Sequence, residues 1–157
     1  MRPSRVAPLA VLAGCIYYPD SWHAPNGDAF AGKHVASQCL DLSLALTDDR
    51  DGRGGPAVDF WFGNRCKYSV IVDLTSVRAY GRDTDNESHE LQPVDPKHEI
   101  RPLPLDGLWH GREEIVYGNA AAEVPAVVCL DVGRVDRAAS PTVHWICLGA
   151  ADEGCGS

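Results

Sequence analysis

From Cys39 the chain settles into a two-residue rhythm. Leu40, Leu42, Leu44 and Leu46 alternate with Asp41, Ser43 and Ala45, which predicts a half-buried strand. Thr47 to Pro56 (TDDRDGRGGP) reads as a turn, after which Val58, Phe60 and Phe62 alternate with Asp59 and Trp61. Setting Leu46 opposite Val58 puts Leu44 opposite Phe60 and Leu42 opposite Phe62. One antiparallel register therefore buries both apolar faces together. Gly63-Asn64-Arg65-Cys66 breaks the run. Val70, Val72 and Leu74 resume it, with Val77 and Ala79 displaced by one residue, as a β-bulge would displace them.

Farther on, Gly81 to Gly111 is rich in turn residues, and Pro93, Pro96, Pro102 and Pro104 restrict it to edge or loop structure. Glu114 to Tyr117 predicts a short strand. Ala126 to Val135 and Thr142 to Leu148 predict a hairpin around Asp136 to Pro141. The sole helical signal is a turn near Asn119 to Glu123. Several short strands separated by turns predict an all-β fold, a small antiparallel β-sandwich.

The first residues have a different pattern. In MRPSRVAPLAVLAGC, Arg2 and Arg5 precede an apolar stretch from Val6 to Ala13, then small residues and Cys15, the layout of a secretory leader. The tetrad Leu12-Ala13-Gly14-Cys15 resembles the lipobox of bacterial lipoprotein precursors. That resemblance implies cleavage after Gly14 and acylation of Cys15, and more than one acyl chain would give a stable membrane anchor. Ile16, where inner-membrane retention usually takes an Asp, implies the outer membrane. Residues 15–35 then form the lipidated cysteine and a Pro- and Gly-bearing spacer with Tyr17, Tyr18 and Trp22. The expected organisation is thus 1–14 leader, 15–35 anchor and spacer, and 36–157 β-sandwich. Within the last, Val58 to Gly81 (VDFWFGNRCKYSVIVDLTSVRAYG) resembles the second and third strands of immunoglobulin-like domains in bacterial envelope lipoproteins. This resemblance implies a fold and no activity.

Composition narrows the function. The chain of 157 residues has 14 Lys+Arg against 22 Asp+Glu, a net charge of −8 that deepens to −10 if the leader takes Arg2 and Arg5 with it. Such a field repels phosphate backbones, so no nucleic-acid partner is expected. Six cysteines without C-x-x-C spacing favour disulfides in an oxidising compartment over a zinc ribbon. With Cys15 acylated, the register that pairs Leu130 with Ile146 and Val128 with Leu148 also pairs Cys129 with Cys147. The first hairpin brings Cys39 and Cys66 to one end. These two bridges, with Cys155 left over, are the expected set, and a cross-sheet pairing such as Cys39 with Cys129 stays open.

Chemistry is sparse. The acidic loops at Asp48, Asp49, Asp51 and at Asp83, Asp85, Asn86, Glu87 do not match the EF-hand template and read as solvated turns. The histidines His23, His34, His89, His98, His110 and His144 lack metal-binding spacing, and His144 alternates onto the apolar face of the last strand. No nucleophile elbow or phosphate loop is present. No catalytic residue, metal or cofactor is expected. The expected role is a membrane-anchored, non-catalytic module that binds an envelope protein or cell-wall component, with Trp61, Trp109 and Trp145 as candidate contacts. Two rivals remain: a hydrolase or metal-dependent enzyme gathering His89, His98, Glu99, His110 and Glu113 in one pocket, and a carrier holding a small ligand or lipid between its sheets.

Overall fold

The computed structural model describes residues 32–47, 55–83, 85, 87–94, 100–118 and 125–149. The expected lipidation site Cys15, the leader, Tyr17, Tyr18, Trp22, His23, the Asp48–Asp51 loop, Asn86, His98, Glu99, the turn at 119–123 and Cys155 lie outside these residues.

The first register is realised as the leucine pattern demands. Strand β1 (Lys33–Ala36) pairs with β2 (Leu40–Thr47), and β2 pairs with β3 (Ala57–Asn64) so that Leu46, Leu44 and Leu42 face Val58, Phe60 and Phe62. The spacer expected to run to Val35 therefore gives way to strand at Lys33. Within β1 only Val35 packs against the apolar core.

Beyond Asn64 the chain leaves this sheet. Strand β4 (Val70–Val72) ends at Asp73, whose carboxylate accepts from the Thr75 amide and caps a single 3₁₀ turn, Leu74–Ser76. That turn, not a bulge, shifts the pattern by one residue before β5 (Arg78–Arg82). The Pro-rich middle is more ordered than expected. It holds β6 (Ser88–Pro93), which pairs with β5, and β7 (Leu103–Leu105), which pairs with β4 as a separate two-stranded ribbon. Where four strand residues were expected at Glu114, β8 (His110–Gly118) runs for nine and pairs with β3. Finally β9 (Val127–Asp131) and β10 (Trp145–Gly149) pair in the expected register, but residues 132–144 join them by a longer connection than a tight turn.

The large sheet has the order β1-β2-β3-β8-β6-β5-β9-β10, antiparallel throughout. Its middle is thin: β6 and β8 meet only at Gln92–Gly118 and Pro93–Tyr117. The sheet folds there into two layers, an antiparallel β-sandwich rolled nearly into a barrel. Leu42, Leu44, Val58, Phe60 and Ile115 from one layer are buried with Ala79, Val128, Leu130, Ile146 and Leu148 from the other. Apolar burial of this kind is the main favourable term in folding. Among the described residues no helix is long and apolar enough to cross a membrane.

Both disulfides form. Cys129 and Cys147 are directly opposite on β9 and β10, with Cα atoms 4.0 Å apart. Cys39 and Cys66, 5.2 Å apart at Cα, tie the start of β2 to the segment after β3. Such bridges mark a chain that folds outside the reducing cytosol, so this is an extracytoplasmic protein.

Candidate functional site

The break at Gly63-Asn64 creates a densely hydrogen-bonded corner at the end of β3. Asn64 is fully buried (0% exposed). Its Oδ1 accepts from the Cys66 amide at 2.9 Å, the local turn that asparagine favours. Its Nδ2 donates to three carbonyls, Tyr68 at 2.7 Å and Leu105 and Asp106 at 3.1 Å each. The Asn64 amide donates to the Trp109 carbonyl at 2.8 Å, and the Leu108 amide donates to the Cys66 carbonyl at 2.9 Å. One side chain thus clasps two loops, 65–69 and 105–109, and the Cys39–Cys66 bridge fixes the first of them to β2. The loops approach so closely that a Cβ on Gly107 would sit 2.3 Å from the Lys67 backbone. Only glycine fits there.

What this clasp presents is apolar and open. Tyr68 is 61% exposed, Leu108 53% and Trp109 66%, and the outward face of the β4–β7 ribbon adds Ile71 opposite Pro104. The Tyr68 hydroxyl lies 3.0 Å from Cys39 Sγ, which fixes the ring against the bridge. Ser69 donates to the Asp106 carboxylate at 2.9 Å beside them. Leu108 has φ = 63°, the left-handed conformation that costs a non-glycine residue about 1–3 kcal/mol and gathers at functional sites. An exposed apolar cluster on a rigid mount, with local strain, has the physical form of a binding surface.

The other two described tryptophans, Trp61 and Trp145, are placed differently, and both for the same reason. On β3, Trp61 has the Arg112 guanidinium 4.8 Å from its ring centre, while Arg112 makes a bidentate pair with buried Asp59 at 3.0 and 2.6 Å. On β10, Trp145 (36% exposed) has Arg78 5.6 Å from its centre and Tyr80 edge-on at 5.6 Å; Arg78 donates to buried Asp131 at 2.5 Å. In each layer a buried aspartate holds an arginine over a tryptophan, a cation–π arrangement that covers the ring. Burial alone would raise the Asp131 carboxyl, but bonds from Arg78 and from the His144 and Gly133 amides hold it below its ordinary value. Trp61 and Trp145 therefore belong to the two outer faces, apart from the Trp109 cluster, and neither face is left bare.

Titratable groups scatter. His89 lies 3.4 Å from Asp83 and 3.9 Å from Glu87 at the β5–β6 hairpin. His110 and Glu113 lie on β8, opposite Gly63 and Phe60. Gly118, at the β6 end of β8, is eight steps from His110, about 27 Å at strand rise, so His89 and His110 occupy opposite ends. Among the described residues, His89 and the His110–Glu113 pair are thus not brought into one pocket, while His98 and Glu99 lie outside the described residues. Asp83, Glu87 and His89 can bring one ligand atom each within 4.8 Å of one another, although Glu87 is exposed. His144, expected on the apolar face, is exposed instead, because the strand begins only at Trp145. Asp41 is fully buried on the outer side of β2. Burial raises its carboxyl above the ordinary value, opposed by Arg65 Nε at 3.6 Å and His34 Nε2 at 3.2 Å.

No protein-family model and no curated protein sequence matches the chain. Among solved structures it is similar to that of a secreted protein from Mycobacterium tuberculosis, at 13% identity over 68% of this chain and 88% of that one, with a TM-score of 0.36.

Proposed function

We propose that this chain is a lipoprotein of the bacterial envelope, anchored through acylated Cys15, whose β-sandwich binds an envelope protein or cell-wall component without catalysing a reaction. The observation that carries the reading is the exposed Tyr68–Leu108–Trp109 cluster on the Asn64 clasp. Truncating large side chains at such sites typically costs a binding interface the most. Supporting features are the two disulfides and the lipobox-like Leu12-Ala13-Gly14-Cys15. Ile16 favours the outer membrane as the site of the anchor.

The test uses the full chain in a Gram-negative host. A photo-crosslinking residue replaces Trp109 in one variant and the hairpin residue Glu90 in another. Adducts with one envelope component from position 109, and none from position 90, are expected. Equal labelling from both, or none, overturns the assigned surface. Intact mass of the membrane-purified protein beside Cys15→Ser tests the anchor separately, since acyl mass should vanish in the variant.

A further inference from the structure

The hairpin between β5 and β6 gathers three donor atoms that the Trp109 cluster does not use. Gly81 pairs with His89 and Arg82 with Ser88, so the chain reverses between Asp83 and Glu87. The Asp83 amide closes that turn on the Glu87 carbonyl at 3.2 Å. Strand alternation carries the side of Ala79 through Gly81 to Asp83, and the side of Leu91 on to His89. Asp83 and His89 therefore meet on one side of the hairpin, just past the last buried pair, Ala79 and Leu91.

The Asp83 carboxylate is held in place by the turn. Its Oδ1 accepts from the Asp85 amide at 3.1 Å and the Glu87 amide at 2.9 Å, while Oδ2 faces His89. His89 Nε2 lies 3.4 Å from that oxygen and 3.9 Å from Glu87 Oε2. An imidazole nitrogen that faces two carboxylate oxygens needs a positive centre between them, a proton or a metal ion. Tetrahedral bonds of about 2.1 Å set ligand atoms about 3.4 Å apart. Asp83 and His89 already have that spacing, and Glu87, whose side chain is 74% exposed, has only to swing inward.

The charge of the cluster is uncompensated in a way that the other acids are not. Asp59, Asp73 and Asp131 each hold an arginine. Among the described residues, Asp83 and Glu87 have His89 as their sole ion-pair partner. Arg82 alternates to the opposite face, and exposed Asp85 adds a further acid to the turn. One nitrogen and two oxygens at tetrahedral spacing suit zinc, whereas calcium takes six to eight oxygens.

We propose that Asp83 Oδ2, Glu87 Oε2 and His89 Nε2 form a zinc site at the tip of the β5–β6 hairpin, with the fourth position open to water. His89 and His110 occupy opposite ends of the sheet, and Trp109 adjoins His110. The site is therefore remote from the Trp109 cluster and stands apart from the reading of that surface.

The test titrates zinc sulfate into the isotope-labelled full chain at neutral pH, following calorimetric heats together with the His89 ring and backbone amide resonances. A saturable site is expected, with its shifts centred on Asp83, Asp85, Glu87 and His89. Asp83→Asn and His89→Gln should each weaken it at least roughly tenfold. Glu90→Gln alters an acid on the other face of β6, opposite Tyr80, and should bind zinc as the parent does. Unchanged Leu91 methyl shifts in each variant show that the hairpin still folds. Calcium at the same concentration should leave the His89 ring unmoved. Absent His89 shifts at millimolar zinc, or parental affinity in Asp83→Asn or His89→Gln, would overturn the proposal. So would an equal loss in Glu90→Gln, the mark of loose adsorption to an acidic surface, or equal binding of calcium.

Discussion

Removing the Asn64 side chain tests the clasp most directly. Asn64→Ala deletes one acceptor for the Cys66 amide and one amide group shared by the carbonyls of Tyr68, Leu105 and Asp106. A hydrogen bond contributes roughly 1 kcal/mol net, and a buried polar group left without a partner costs more. Four such contacts, with one donor group shared three ways, put the loss at about 3–4 kcal/mol. Against a total stability of roughly 5–15 kcal/mol, that is a large fraction. It corresponds to a fall in Tm of roughly 15 °C for a domain of this size. Urea and thermal melts with the disulfides intact measure it, while Trp109 emission reports whether the loops still hold their places. Asn64→Asp sharpens the test. The aspartate keeps the acceptor for Cys66 but turns a carboxylate oxygen toward three carbonyls, so at neutral pH it should be less stable than Asn64→Ala and should recover on acidification. A cost under 1 kcal/mol for the alanine, or an aspartate variant as stable as the parent at pH 7, would refute this account of the loops.

Other predictions concern separate parts of the molecule. Leu108→Gly relieves a left-handed backbone and should stabilise by about 0.5–1 kcal/mol in the same melts, yet lower crosslinking from the Trp109 cluster. A double Cys129→Ser, Cys147→Ser variant reopens a loop of 18 residues and should lose about 3 kcal/mol in urea melts, a loss that added reductant cannot deepen through this bridge. The Asp131 carboxyl is held below its ordinary value near 3.8. Its stabilisation is therefore present above that pH and drains away as pH falls through the lower folded value, so Asp131→Asn should flatten the acid limb of a stability–pH curve. Gly107→Ala forces a Cβ into the Lys67 backbone and should destabilise by more than 1 kcal/mol, measured by thermal melts; a neutral outcome would mean the loops separate freely.

The hydrophobic alternation was a sufficient guide wherever a strand had one wet and one dry face. Leu42, Leu44 and Leu46 allow one partner register, which brings Cys39 and Cys66 to one end, and the separate Leu130–Ile146 register sets Cys129 opposite Cys147. The pattern misled where polar residues bear structure. Asp73-Leu74-Thr75-Ser76 reads as a slipped strand, because a one-turn cap leaves the same spacing as a bulge. The start of β8, His110 to Glu113, looks like loop because only its partners on β3 reveal the alternation. Trp109 was visible as a large exposed residue, but Tyr68 and Leu108 were not. The signals that could have found them are Asn64 straight after Gly63 and the Asp106-Gly107 turn facing it. Which strands end the sheet depends on pairings far apart in sequence, so the edge positions of β1 and β10 left no local trace.

The position of β1 also gives the fold a mechanical property. A tug on the chain ahead of Lys33 falls first on a four-residue strand at the rim of the sheet, where the ladder opens one rung at a time. Peeling can pass through Ala36 and the hairpin turn, but three residues on it reaches Cys39, which is riveted to Cys66. From there the load crosses a covalent link into the far end of β3 and spreads over the broad β2–β3–β8 sheet in shear. A module tethered from its N-terminal side can thus yield slightly at its rim under strain while its body stays folded. Reducing that single bridge would turn the same pull into one that unzips β2 as well.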